Sequence, residues 1–181
     1  MHEEDLLIEE LKALARQGTF LAPCQSEYQG VTYHVNLPVT QADLADAEKL
    51  LGFALPPFLK RVYLEVGNGG FGPGYGLAPL FTPALFPEEE VYFQPSLVHT
   101  TLWYRGENWP ETLLYLCTWG CAIYSSIDCS HPEYPIVRSE QTWHIGIEAP
   151  SLQQWLRAWL NGTPQFFLDR NDLLPVTFRC S

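Results

Sequence analysis

Cys117, Cys121, Cys129 and His131 place four potential zinc ligands within fifteen residues. Thiolate and imidazole are the groups a tetrahedral zinc site recruits, and structural sites usually bring them in through closely paired cysteines of the C-x2-C kind. The spacing here is Cys117-x3-Cys121-x7-Cys129-x-His131. It contains no such pair, and two of the candidates fall inside expected strands, where alternate side chains face opposite sides. Buried thiols on a strand pair explain these residues better than a metal centre. A cysteine nucleophile has less support still, because nothing in the sequence brings His99 or His144 to a thiol as its base. These residues point to no catalytic group, no metal and no cofactor.

Carboxylates offer a different chemistry, the recognition of a partner. Glu88-Glu89-Glu90 is the acidic run not explained as the first turn of a helix, and Tyr92 and Phe93 beside it supply the aromatic anchors that interfaces favour. A solvated loop is the plainer account of three consecutive acids. If the chain has a docking loop, these five residues are the first choice. Asp128, at the end of an expected strand, has two readings: a binding carboxylate, or a turn residue that bonds its own backbone, the second being favoured.

The run from Leu55 to Leu80 invites a phosphate-loop reading. Pro56 opens a short helix with Leu59, Val62, Tyr63 and Val66 on one face; Gly67 stops it, and Asn68-Gly69-Gly70 supplies backbone for a turn. Gly72, Gly74 and Gly76 follow, and then a strand is expected. A phosphate cradle needs the opposite order, strand before and helix after, so that amides and the helix dipole meet the anion. The run also has no lysine, and its glycine spacing is not G-x-G-x-x-G. A tight connection in which backbone packs closely is the better account.

The elements that must position these residues follow from periodicity. Residues 3–17 form an amphipathic helix with Leu7, Leu11 and Leu14 on one face and acids in its first turn; residues 31–37 form a strand. Thr40 caps a helix that carries Leu44, Ala47 and Leu51 inward and ends at Gly52, with Asp43 in the capping-box position. Residues 81–95 read as an exposed loop, and 96–104 fit either a strand or a helix. Strands follow at 113–119, 121–128, 136–138 and 143–147, forming an antiparallel sheet. Ser151 caps a closing helix with Leu152, Trp155, Leu156 and Trp159 on one face. The six tryptophans are mainly core, with Trp103 and Trp109 expected to be partly exposed around the turn at 105–108.

At 181 residues with 46% hydrophobic content, and with no repeat or linker, the chain reads as one domain with a substantial core. No apolar run reaches the roughly 20 residues of a membrane span, and Met-His-Glu-Glu-Asp is the wrong start for a signal peptide. A cytoplasmic chain is expected. Five cysteines at irregular spacing do not read as a disulfide framework. The net charge of −11 arises from an ordinary 21 acids set against only 10 Lys and Arg. Such a chain suits a basic protein partner, and suits nucleic acid poorly.

Four blocks occur in order: Leu51-Gly-Phe-x-Leu-Pro; Val66-Gly-Asn-Gly-Gly-Phe-Gly-Pro-Gly-Tyr-Gly-Leu-x-Pro-Leu80; Trp119-Gly120-Cys121 with Ile127-Asp128; and Ala149-Pro-Ser-Leu-x-x-Trp-Leu-x-x-Trp-Leu160. Together they resemble the SUKH superfamily, in its branch like the fungal cell-wall-assembly regulator. The resemblance covers about residues 40–162 of a single domain spanning 1–181. It leaves 1–39 and 163–181 as extensions, so Cys24, His34 and the tail draw no support from it. It implies an α+β fold, with a mixed, mostly antiparallel sheet and helices packed on it, and it makes 96–104 a helix. Gly69, Gly70, Gly72, Trp119, Gly120, Trp155 and Trp159 become its structural motif residues. It also implies a protein without enzymatic activity. Many bacterial members look like immunity proteins that bind and neutralise a polymorphic toxin, often a nuclease. That is the expected function, with a regulatory scaffold in cell-wall or envelope assembly as the alternative. The expected partner is a protein, with neither nucleic acid nor membrane.

Overall fold

The computed structural model describes residues 2–17, 19–21, 32–81, 96–107, 109–140, 145–162 and 174–175. Helix α1, Glu3–Ala15, starts where the His2 amide donates to Asp5 Oδ2, and it buries Leu7, Ile8 and Leu11. Three acids in its first turn oppose the positive end of the helix dipole. Strands β1, Thr19–Leu21, and β2, Thr32–His34, form a two-stranded antiparallel sheet. Helix α2, Gln41–Leu51, has the full capping box: Thr40 Oγ1 accepts from the Asp43 amide at 3.2 Å, and Asp43 Oδ2 accepts from the Thr40 amide at 2.7 Å. Gly52 closes it at φ 81°, a left-handed conformation that a Cβ would disfavour.

Helix α3, Pro57–Arg61, widens into a π-helical turn over Val62–Val66. The widening seats Val62, Tyr63 and Val66 in the core together, and the Tyr63 hydroxyl donates to the Ala78 carbonyl at 2.6 Å. The glycine run after it contains no strand, contrary to expectation. Its residues pair backbone-to-backbone with neighbours on both sides instead, as described below.

Helix α4, Leu97–Gly106, is capped by Ser96 Oγ, which accepts from the His99 amide, so the helical reading of this segment holds. Strands β3, Leu113–Gly120; β4, Ile123–Asp128; β5, Ile136–Ser139; β6, Ile145–Ala149; and β7, Leu174–Pro175, form a five-stranded sheet in that order. All the described pairings are antiparallel. At the β3–β4 turn, Cys121 and Ala122 both have positive φ, as the mirror-image hairpin turns demand. Helix α5, Leu152–Leu160, packs Leu152, Trp155, Leu156 and Trp159 inward as the sequence predicts. No helix among the described residues is long and apolar enough to cross a membrane.

One large core lies between the helices and the inner face of the sheet. Alternation along the strands turns Tyr124, Ser126, Val137 and Ser139 to the other face. There Trp109, Leu113 and Val137 form a smaller cluster with Tyr104, Tyr124 and Ile147. Trp109 is therefore buried, stacked on Tyr104 with ring centroids 4.4 Å apart, which corrects the expectation of partial exposure. Trp103, on the outer side of α4, is 71% exposed as expected.

Candidate functional site

Backbone approach explains the glycine run. The Asn36 amide donates to Gly69 O, the Asn68 amide to Asn36 O and the Gly70 amide to Leu77 O, while the Ala78 amide donates to Leu116 O of β3. The run thereby sutures the β2 side of the molecule to the edge of the large sheet. A Cβ on Gly70 would sit 2.0 Å from the His34 carbonyl oxygen, and one on Gly69 would sit 2.4 Å from the Leu77 oxygen. Both residues also have positive φ, so two independent constraints select glycine. Gly72 and Gly120 lie at positive φ as well. Amides at Gly70 and Ala78 that a phosphate would need are consumed in these internal bonds.

Beneath the suture, one carboxylate gathers four elements. Glu148 Oε1, on β6, accepts from Trp155 Nε1 of α5 at 2.8 Å and from Arg138 Nη2 of β5 at 3.1 Å. Its Oε2 accepts from Ser125 Oγ of β4 at 2.6 Å, and that hydroxyl accepts from Trp119 Nε1 of β3 at 2.7 Å. The Arg138 guanidinium also lies over the Trp119 ring, 5.1 Å from its centroid. The side chains of Arg138 and Glu148 are 2% and 0% exposed, so charge is buried here only as a neutral, hydrogen-bonded pair. Two tryptophans expected as motif residues, Trp119 and Trp155, belong to this network, while Trp159 packs in the apolar core. With its oxygens engaged by Arg138, Trp155 and Ser125, Glu148 serves the fold.

The three described thiols lie in three different settings. Cys117 is fully buried on β3, and burial pushes its thiol far above the ordinary range. Cys129 is half-buried and pushed up to about 12, by burial first and then by the Asp128 charge, with Arg105 pulling the other way. Cys121 is exposed at the hairpin tip. His131 Nδ1 accepts from the Glu133 amide at 3.2 Å. Among the described residues, no three His, Cys, Asp or Glu side chains are grouped as a metal would need.

Asp128 is 5% exposed, and its Oδ1 accepts from both the amide and the hydroxyl of Ser130, at 2.9 and 2.6 Å. This is the turn role of the two the sequence left open. Glu88, Glu89, Glu90, Tyr92 and Phe93 lie outside the described residues, as do Cys24, His144 and Cys180. Acidic surface is described elsewhere, on α1. Arg61 bonds Asp5 at 3.1 Å and Glu65 at 2.8 Å, Lys12 bonds Glu9, and Arg157 bonds Glu10. A groove of about 260 Å³ runs between the first turns of α1 and α5, with Glu3, Glu4, Gln153 and Arg157 on its walls.

Residue-level reading of the sequence did not single out the Arg138–Glu148 pair. The signal was present in Ile136-Val-Arg-Ser139 and Ile145-Gly-Ile-Glu-Ala149, two short apolar strands that each carry one charge of opposite sign. No curated protein matches the chain at a significant level. A family model does match, over residues 38–158, a span that holds the glycine run, Trp119 and Trp155, and the chain belongs to the SMI1 / KNR4 family (SUKH-1).

Proposed function

We propose that this protein is a cytoplasmic immunity protein that neutralises a toxin domain by direct binding and catalyses no reaction. The observation that carries the reading is where its charge lies. The chain holds 21 acids against 10 Lys and Arg. Glu148 is matched by Arg138 in the interior, and Glu4, Glu9 and Glu10, about half exposed on α1, are in ion pairs with Arg61, Lys12 and Arg157, so the net charge of −11 is carried by the acids left over from such pairs. A surface of one sign steers a partner of the other, raising association rates by about 10 to 10³-fold at low salt. Nuclease toxins, which hold nucleic acid through basic surfaces, have the complementary charge. Family membership supports a protein-binding role. Within this reading Glu88, Glu89 and Glu90, with Tyr92 and Phe93, form the docking loop; Asp128, bonded to Ser130, is left out of it.

Co-expression with the toxin domain encoded by a neighbouring reading frame tests this. Protection of the cells and a stoichiometric complex are expected; a chain that protects against no such toxin, yet co-purifies with envelope-synthesis proteins, would be a scaffold. Replacing Glu88, Glu89 and Glu90 with Lys should leave the melting temperature nearly unchanged while slowing association and flattening its salt dependence. Association at the wild-type rate in low salt would remove the loop from the interface.

A further inference from the structure

Leu97, Val98 and Thr101 fill the inward face of α4, and the opposite face presents His99, Trp103 and Glu107 one turn apart. Trp103 is the most exposed of the described Phe, Trp and Tyr side chains. Tyr75, the next, rests against the Gly120 backbone, where an added Cβ would lie 3.1 Å from its hydroxyl. Single apolar side chains on a surface are ordinary, so exposure alone assigns Trp103 nothing. What distinguishes it is the company its ring lacks. Arg138 lies over Trp119 and Arg105 over Phe53, at 5.1 and 5.0 Å, whereas among the described residues no cation or ring covers Trp103. Arg105 is the only Lys or Arg in residues 97–112, and it turns inward to donate to the Leu51 carbonyl at 2.7 Å. The acids of that stretch, Glu107 and Glu111, stay exposed.

An indole face left uncovered among acids fits an arginine, whose flat guanidinium stacks on the ring and still reaches a carboxylate. We propose, resting on the protein-binding reading above, that Trp103 anchors the interface and that an arginine on the partner's basic surface stacks on it beside Glu107. A central tryptophan carries much of the binding energy of such an interface, while the charges around it act on encounter. The face adjoins the proposed docking loop. The Leu97 and Val98 amides donate to the Pro79 and Leu80 carbonyls, at 2.8 and 3.3 Å, which puts the stem of that loop at the start of α4.

The first probe needs no cognate partner: a labelled peptide of alternating glycine and arginine, and its lysine counterpart, are titrated against the full-length chain by fluorescence anisotropy at low salt. The arginine peptide should bind about threefold or more tightly than the lysine one. Trp103→Ala should abolish that preference, as should Trp103→Leu, which keeps an apolar side chain and removes the π face. Both variants should melt as the wild type does, since the side chain is 71% exposed. The second probe is the toxin domain encoded by a neighbouring reading frame. Trp103→Ala should weaken that complex at least about 30-fold, mostly through faster dissociation, while Glu107→Lys should slow association. No measurable binding of either peptide, equal affinity for the two, a preference that survives Trp103→Ala, or a toxin complex that this variant leaves within about threefold of wild type would each overturn the proposal. If no toxin binds, the immunity reading fails and the peptides alone decide the role of Trp103.

Discussion

Ser125 and Ser126 are neighbours on one strand, both buried, and they face opposite sides of the sheet. Inward, Ser125 is bonded twice, to Trp119 and to Glu148. Outward, the hydroxyls of Ser126, Tyr115 and Ser139 are buried without a hydrogen-bond partner. The same side chain therefore meets opposite energetics one residue apart. A satisfied buried hydroxyl adds about 0.5–1.5 kcal/mol, while an unsatisfied one costs about 1–3 kcal/mol. Burial of polar groups holds this sheet together on the inner face, where the Glu148 carboxylate ties β4, β5 and α5 through Ser125, Arg138 and Trp155.

Alkali carries the largest expected effect, because dryness is shared by the two faces. Burial raises the folded pKa of Tyr115 on the outer face, of Cys117 on the inner face and of Cys129, from 9.0 to about 12 for the last. A raised folded pKa means that the stability is fully present below the unfolded value and is lost as pH rises toward the folded one. Denaturant midpoints should therefore fall continuously from about pH 9 to about pH 12. A flat profile to pH 11 would show that these groups are wet.

Glu148→Ala attacks the inner face directly. It strips the carboxylate from a guanidinium that is 2% exposed, and should cost about 3–5 kcal/mol in equilibrium unfolding. Trp155→Phe keeps most of the packing but removes the indole N–H, and about 1–3 kcal/mol is expected. Ser125→Ala should fall in a similar range, toward its lower end, because two partners lose one small group. Ser126→Ala should be neutral or slightly stabilising, since it deletes a hydroxyl that bonds nothing. Equal losses for Ser125→Ala and Ser126→Ala would abolish the distinction between the faces.

The helices were legible because their signals are local. Thr40, Asp43 and Gly52 punctuate α2, and the spacing of Leu152, Trp155, Leu156 and Trp159 shows which face of α5 is buried. The fate of Gly76 to Leu80 was not, since whether an extended segment counts as a strand depends on a partner 38 residues away, Leu116 for Ala78. Trp109 was misjudged for the same reason: its burial comes from Tyr104 and Tyr124, which only the folded sheet brings to it. Glu148 looked like one acid among 21, and its meaning lies in Arg138 on the adjacent strand.

The suture has a consequence for the order of assembly. Bonds from Asn36 to Gly69 and from Ala78 to Leu116 each close a loop of more than thirty residues, and such closure costs entropy that grows as about (3/2)RT ln n. During synthesis the N-terminal hairpin can meet the glycine run early, but the run has no sheet to join until β3 has emerged. The N-terminal third thus waits on the middle of the chain, and the speed of folding is set by these distant closures more than by the helices that form first.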